Sequence, residues 1–270
     1  MINYNGVLKS DEQGIKYNNR SFLYGDGCFE SIRVTGAKIC FVEDHYFRLM
    51  ASVRMLRMEV SMEFTLEYFE AELYKTLEAN PGANFLRLVM YRKEGGLYTP
   101  KNNAVDFVIN AEFRSGSVKD KYELGVYKDF LLNASFLNSI KSTQKEAYVL
   151  ASIFASENHF DACLMLNNDK QVVSSNIGNI FIVKGNDIIT APLNSGALNG
   201  IIRKKIKEIL ENNEELNFVE RDFNPFELQK ADEVFISNVN VLIQAVSKYK
   251  KKHFNNTISQ QLRNQLLSLI

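Results

Sequence analysis

The chain has 270 residues, of which 46% are hydrophobic and 24% charged, and its 32 basic and 32 acidic side chains give a formal net charge of zero. This length suggests two modest domains or one large one, and the 19 Phe and 12 Tyr residues exclude a disordered chain. The charge balance argues against nucleic acid as a partner, because a dedicated binder needs excess positive charge to neutralise phosphates.

The cysteines, the histidines and the start of the chain narrow the class further. The three cysteines form no CxxC pair, and the three histidines have none of the spacings of a zinc site, so no metal centre is expected. The first residues lack the basic and apolar regions of a signal peptide, and no apolar run reaches the roughly 18 residues of a membrane span. We therefore expect a cytoplasmic protein with no membrane partner.

Hydrophobic patterns in the first half predict a mixture of strands and helices. In chain order the predicted elements are a hairpin turning at Gly36, helices over residues 43–58 and 64–77, and strands over residues 84–91 and 104–113. The small, polar stretch RSGSVKDK that follows, residues 114–121, is typical of a linker.

The second half has a similar mixture. Its predicted elements are strands over residues 122–127, 162–166, 171–174, 179–183 and 233–237, helices over residues 144–158 and 201–211, and a final hairpin and helix. Strands and helices in both halves indicate an α/β or α+β enzyme with a cleft between domains. We expect a smaller domain over residues 1–115, a linker over residues 116–121 and a larger domain over residues 122–270.

Three segments that are far apart in the sequence carry the functional signal. They are YGDGCFESIR with EDHYFRL (residues 24–33 and 43–49), IKSTQ (140–144), and NNDKQVVS, GNIF and GALNGIIR (167–174, 178–181 and 196–203). In this order and spacing they resemble the class IV aminotransferase family, the fold-type-IV enzymes that use pyridoxal 5′-phosphate (PLP). That family includes branched-chain and D-amino-acid aminotransferases and aminodeoxychorismate lyase, and the resemblance extends from about residue 5 to residue 246.

The resemblance implies PLP in the cleft between the two domains, and a homodimer. Lys141 matches the lysine that forms a Schiff base with the cofactor, a reaction that needs an amine whose pKa is lowered by partial desolvation. Arg48 matches the arginine that binds the cofactor phosphate. Gly200, Ile201 and Ile202 match the helix start whose free backbone N–H groups bind the same phosphate.

Ser174 is the most consequential departure from the family pattern. Members usually have Glu at this position, five residues before the Asn of the NIF segment, and its carboxylate keeps the pyridine nitrogen of PLP protonated. A serine hydroxyl can hydrogen-bond that nitrogen but stabilises its protonated form much less. This substitution is expected to weaken transamination more than elimination.

The resemblance also indicates substrate contacts. Tyr24, Phe29 and Arg87 match positions that contact substrate in branched-chain enzymes, and each is equally compatible with a structural role. Lys145 stands where the family often has Tyr or Arg, and it is closer to the cationic choice of some lyases. Val239 lies near the position where many aminotransferases have a phosphate-binding Ser or Thr.

Three functions are compatible with these residues. The first is an aminotransferase that moves an amino group from an amino acid to a 2-oxo acid through a Lys141 Schiff base. The second is aminodeoxychorismate lyase, which takes an aminochorismate substrate and forms 4-aminobenzoate and pyruvate. The third is an inactive PLP-binding homologue, which Ser174 and Val239 make conceivable.

Overall fold

A computed structural model of the chain describes residues 1–10 and 16–270, and the chain divides into two compact units. The first contains Met1–Ser115, Ile140–Gln144 and Ile270, and the second contains Gly116–Ser139 and Lys145–Leu269. The short segment that carries Lys141 therefore belongs to the first unit, although the residues before and after it belong to the second.

The first unit is built around one antiparallel sheet. Its strands are β1 (Ile2–Tyr4), β2 (Val7–Lys9), β3 (Gly27–Thr35), β4 (Lys38–Ile39), β5 (Phe85–Arg92) and β6 (Val105–Glu112), in the spatial order β2-β1-β6-β5-β3-β4. Its helices are α1 (Arg20–Tyr24), α2 (Val42–Met55) and α3 (Leu66–Glu78).

Alternation along the strands of this sheet creates the first core. Cys28 and Ile32 of β3 and Leu86 and Leu88 of β5 are fully or almost fully buried, as period-two alternation requires when one face of a sheet is covered. They cluster with apolar residues of α2 and α3, including Phe69. The same alternation places Glu30 among these apolar residues, with an exposed fraction of 0%.

The second unit contains two five-stranded sheets. Its strands are β7 (Glu123–Val126), β8 (Ala162–Leu166), β9 (Val172–Ser175), β10 (Asn179–Lys184), β11 (Asp187–Thr190), β12 (Asn217–Glu220), β13 (Glu233–Asn238), β14 (Leu242–Ala245), β15 (Lys248–Tyr249) and β16 (Lys252–His253). Its helices are α4 (Phe136–Ser139), α5 (Glu146–Glu157), α6 (Ile201–Glu211) and α7 (Thr257–Leu267). The sheet orders are β12-β11-β10-β13-β14 and β16-β15-β7-β8-β9.

The second core is apolar on most of its strands, because these strands are covered on both faces. Every residue of β8 and of β9 is buried. Glu233 is buried at the start of β13, and its carboxylate accepts hydrogen bonds from the backbone N–H groups of Ile258 and Ser259 at 2.8 and 3.0 Å. This carboxylate therefore satisfies the open N-terminus of α7 and complements its dipole.

Most of the predicted elements are confirmed. The hairpin at Gly36, the helices that became α2, α3, α5 and α6, and the strands on both sides of them all occur within a few residues of their predicted bounds. The structure adds α4 just before the Lys141 segment, an element that periodicity did not indicate. Among the described residues, no helix is long and apolar enough to cross a membrane.

Candidate functional site

The segment that carries Lys141 is attached to β3 by backbone hydrogen bonds. The N–H of Phe29 donates to the carbonyl of Lys141 at 2.8 Å, and the N–H of Thr143 donates to the carbonyl of Gly27 at 2.9 Å. Cys28 and Ser142 form the antiparallel bridge between these two bonds. Lys141 is therefore held at a fixed position beside β3, although it lies more than 100 residues away in sequence.

The GDG sequence at residues 25–27, where β3 begins, makes this attachment possible. Gly25 ends α1 with a φ of 64°, the left-handed conformation that favours glycine. A Cβ atom on Gly25 would lie 2.6 Å from Cγ of Gln144, so the Lys141 segment could not approach as closely. Asp26 is fixed by the Nε atoms of Arg20 and Arg92 at 2.8 and 3.0 Å.

Lys141, Phe29 and Arg87 lie together in the first unit. The Nζ atom of Lys141 and the guanidinium carbon of Arg87 each lie 4.5 Å from the centre of the Phe29 ring. Burial lowers the pKa of Arg87, the nearby charge of Arg114 adds to this effect, and Glu112 opposes it. No carboxylate among the described residues lies within ion-pair distance of Arg87. Tyr24 is the last residue of α1, and the centre of its ring lies 5.8 Å from the centre of the Tyr98 ring.

Arg48 forms a buried ion pair with Glu30. Its Nε and Nη2 atoms donate to the two carboxylate oxygens at 2.8 and 2.5 Å, and Nδ1 of His45 lies 2.7 Å from one of the same oxygens. Burial alone would raise the pKa of Glu30, but the Arg48 charge, the Arg48 hydrogen bond and His45 together hold it well below its usual range. Burial lowers the pKa of His45, against the opposing effect of Glu30.

The start of α6 is open in the second unit. Gly200 precedes this helix, and no side chain caps its first turn, where Ile201 and Ile202 are buried. Asn179 of β10 supports the approach to the helix, since its Nδ2 donates to the carbonyl of Leu198 at 2.8 Å. A Cβ atom on Gly200 would lie only 2.2 Å from Oδ1 of Asn179, so glycine is required there.

Ser174 lies in β9 with an exposed fraction of 3%, and its hydroxyl interacts with the hydroxyl of Tyr148 without reaching good hydrogen-bond geometry. Burial raises the pKa of the Tyr148 hydroxyl, and its interaction with Ser174 opposes this shift. The Nζ atom of Lys145 lies 4.9 Å from the centre of the Tyr148 ring. Burial lowers the pKa of Lys145 to about 8, with Glu146 opposing the shift.

Three polar residues of interest were missed by sequence reasoning. Glu30 and His45 lie within the recognised motifs, but no role was predicted for them from the sequence. The available signal was an acidic residue in an apolar strand, together with a histidine and an arginine three residues apart on a helix. Ser237 is opposite Asn179 in the pairing of β10 with β13, and its buried hydroxyl has no partner among the described residues. It lies two residues before Val239, the position at which sequence reasoning looked for a hydroxyl.

Comparison with models of known protein families identifies the family of this chain. Residues 27–249 match the model described as amino-transferase class IV, which is most of the chain. The chain belongs to the class IV aminotransferase family. Enzymes of this family use PLP, so the predicted family, the enzyme class and the cofactor are confirmed at that level.

Similar curated proteins span nearly the whole chain. The D-alanine aminotransferase of Staphylococcus epidermidis is 27% identical over 279 residues, covering 96% of this chain and 94% of that protein. The D-alanine aminotransferase of Staphylococcus haemolyticus is 27% identical over 255 residues, covering 89% and 86%.

Solved structures share the fold. A branched-chain aminotransferase from Thermoproteus uzoniensis superposes with a TM-score of 0.89 at 24% identity, covering 98% of this chain and 92% of that one. The 4-amino-4-deoxychorismate lyase of Pseudomonas aeruginosa gives 0.88 at 22% identity, covering 99% and 98%. The predicted mixed α/β fold of type IV is thereby confirmed.

The residues present are compatible with PLP. An uncapped helix start offers N–H groups to a phosphate. Ser237 is a buried hydroxyl without a hydrogen-bond partner in the described part of the chain, and the buried hydroxyl of Ser174 has the interaction with Tyr148 but no well-formed hydrogen bond. Such groups are uncommon unless a ligand or water satisfies them.

Proposed function

We propose that this chain is a PLP-dependent aminotransferase that moves an amino group from an amino acid to a 2-oxo acid. The observation that carries the proposal is the setting of Lys141, whose Nζ atom lies 4.5 Å from the Phe29 ring on a segment fixed to β3. An amine held beside an apolar ring can be presented to an aldehyde carbon. We assign Lys141 as the covalent attachment point of the cofactor, which when bound supplies an electron-accepting ring.

We assign the cofactor phosphate to the start of α6 and to Arg48. The open N–H groups at Ile201 and Ile202 suit an anion, and the helix dipole adds to their effect. The N–H of Gly200 already donates to the carbonyl of Leu198 at 2.9 Å, so Gly200 contributes through its small size and not through a free donor. Arg48 supplies a cation, although Glu30 already occupies its Nε and Nη2 atoms. The backbone donors of α6 therefore have the larger share of the phosphate in this proposal.

We assign the substrate carboxylate to Arg87. Amino acids and 2-oxo acids both carry a carboxylate, and a guanidinium binds that group with paired hydrogen bonds. Arg87 has no carboxylate partner among the described residues and shares the Phe29 ring with Lys141. Tyr24 and Phe29 are assigned to the substrate with it, and Lys145 is a further candidate contact.

Aminodeoxychorismate lyase is the second candidate, and Ser174 and Lys145 favour it. A buried hydroxyl at position 174 stabilises a protonated ring nitrogen less than a carboxylate does, which weakens transamination more than elimination. An amine with a pKa of about 8 can exchange a proton near neutral pH, as an elimination requires. The third candidate is a PLP-binding homologue without turnover.

A homodimer in the cytoplasm is also part of the proposal. Helix α5 exposes Val149, Leu150 and Ile153 with fractions of 55%, 48% and 48%. Apolar side chains on successive turns of one helix are suited to burial against a second copy.

The half-reaction distinguishes the three candidates. The PLP-loaded protein is mixed separately with D-alanine, L-leucine and aminodeoxychorismate, while the cofactor absorption and pyruvate release are followed. Conversion of the bound cofactor to pyridoxamine phosphate by an amino acid supports the aminotransferase, and pyruvate with 4-aminobenzoate from aminodeoxychorismate supports the lyase. An unchanged spectrum together with no release of pyruvate from aminodeoxychorismate would contradict both enzymatic proposals, and Lys141→Ala is the inactive control.

A further inference from the structure

The second unit contains a cavity that none of the candidate-site residues line. Its volume is about 750 Å³, within the range of small-molecule sites. It is formed by residues 123–126 and Lys128 at β7, the turn 169–171 between β8 and β9, the loop 224–226 and the tip of the β15–β16 hairpin. We call it the β7 cavity.

The walls of the β7 cavity are largely apolar. Leu124 and Leu166 are almost completely buried, whereas Phe226 is 70% exposed. Phe160 lies against the backbone of Gly125, where a Cβ atom would be 2.4 Å from the ring. A flat hydrocarbon group in the cavity would cover the exposed face of Phe226 and remove apolar surface from water.

Three lysines line the cavity without an ion-pair partner in the described part of the chain. They are Lys128, Lys170 and Lys250. The Nζ atom of Lys250 lies 5.2 Å from the centre of the Phe226 ring, which places positive charge beside the apolar wall. A ligand that covers Phe226 would therefore meet an ammonium group at its edge.

The acidic residues of the lining do not cancel this charge. Glu123 is already paired with Lys248 at 2.8 Å, which leaves Asp169 against three lysines. Tyr249 also lines the cavity, and its buried hydroxyl has no hydrogen-bond partner among the described residues. The cavity thus combines an apolar wall, a net positive rim and an unused polar group, which together match an amphipathic anion.

We propose that the β7 cavity binds an aromatic monocarboxylate. The aromatic body lies against Phe226 and Leu124, and the carboxylate lies at the ammonium groups of Lys170 and Lys250. Because the lining shares no residue with the candidate active site, this proposal is independent of the reaction that the protein catalyses.

The backbone provides well-matched variants for the test. Lys170 and Lys250 have φ values of 59° and 53°, the left-handed region that asparagine adopts more readily than lysine. Lys170→Asn and Lys250→Asn therefore remove each ammonium group without straining its turn. Lys251→Asn removes a neighbouring exposed charge from the same hairpin and does not touch the lining.

The experiment compares 2-naphthoate with its uncharged counterpart 2-naphthamide by calorimetric titration of the PLP-loaded protein. We expect saturable binding of one naphthoate per chain, with naphthamide at least about tenfold weaker. Each asparagine variant should weaken naphthoate binding about three- to fivefold, and the double variant about 10- to 25-fold. Phe226→Ala should weaken both compounds, and Lys251→Asn should change neither.

Four results would overturn the proposal. They are no saturable binding at millimolar naphthoate, equal affinity for the acid and the amide, an unchanged dissociation constant in the double variant, and an equal loss of affinity in Lys251→Asn. Equal loss in the control would mean that the general surface charge, and not the cavity, attracts the anion.

Discussion

Replacing Arg48 by methionine should destabilise the first unit in a pH-dependent way. Glu30 has an exposed fraction of 0% and accepts two hydrogen bonds from Arg48, at 2.8 and 2.5 Å. Arg48→Met leaves this carboxylate buried with only His45 beside it, and removing one partner of a buried ion pair costs about 3 to 5 kcal/mol. That is a large share of the roughly 5 to 15 kcal/mol by which domains are stable.

The pH dependence follows from the pKa of Glu30. In the native chain this pKa is held below its usual value, so the stabilisation is fully present above the unfolded pKa of about 4.3 and is lost as the pH falls through the lower folded pKa. In Arg48→Met, burial is opposed only by His45 and raises the pKa of Glu30. The folded variant then binds more protons than the unfolded one above about pH 4.3, so its stability should fall as the pH rises.

Urea denaturation of the cofactor-free proteins at pH 5 and pH 8 measures both effects. The matched control is the double variant Arg48→Met with Glu30→Gln, which removes the buried charge and should recover most of the loss. A loss below about 1 kcal/mol at pH 8, or an equal loss in the double variant, would refute an uncompensated Glu30 as the cause.

Three other changes test the candidate site. Ser174→Glu should raise the pKa of the pyridine nitrogen of bound PLP, seen as a shift of the ring 15N resonance that Ser174→Ala does not produce. Gly200→Ala places a Cβ atom 2.2 Å from Oδ1 of Asn179 and should weaken PLP binding at least about tenfold in an equilibrium titration. The Lys145 amine has a pKa of about 8 in the folded chain, so the unfolded chain binds more protons between about pH 8 and 10.4 and stability should rise there. Partial exposure limits this rise to on the order of 1 to 2 kcal/mol, and Lys145→Met should abolish it in urea titrations across that range.

Local patterns predicted most of the elements because their signals lie within short windows. The glycine at position 36 and the apolar spacing after it were enough to predict the β3–β4 hairpin and α2. The same reasoning indicated that Lys141 lies in a loop before a helix. It did not show that this loop is hydrogen-bonded to β3, because the partner residues Phe29 and Lys141 are too far apart in sequence for any periodicity to join them.

The ion pair between Arg48 and Glu30 shows a second limit of prediction from the sequence. The motif match drew attention to Arg48 as a phosphate ligand, whereas its partner Glu30 sits on the core-facing side of β3. Alternation could have placed Glu30 in the core, but only the packing of α2 against β3 shows which cations reach it. Ser174 and Ser237 show the same limit. Whether a buried hydroxyl makes a well-formed hydrogen bond depends on the side chains packed around it, and these are not visible in the sequence.

Identification of the lysine that carries the cofactor is the most direct test of the role assigned to Lys141. The PLP-loaded protein is reduced with borohydride, digested and mapped by mass spectrometry, with Lys141→Ala and Lys145→Ala treated in parallel. Lys145 is the sharpest rival, because its pKa of about 8 makes it a reactive amine only four residues away. We expect the reduced cofactor on Lys141 in the native protein and in Lys145→Ala, and none in Lys141→Ala. Label on Lys145 or on another lysine, or label that persists in Lys141→Ala, would contradict it.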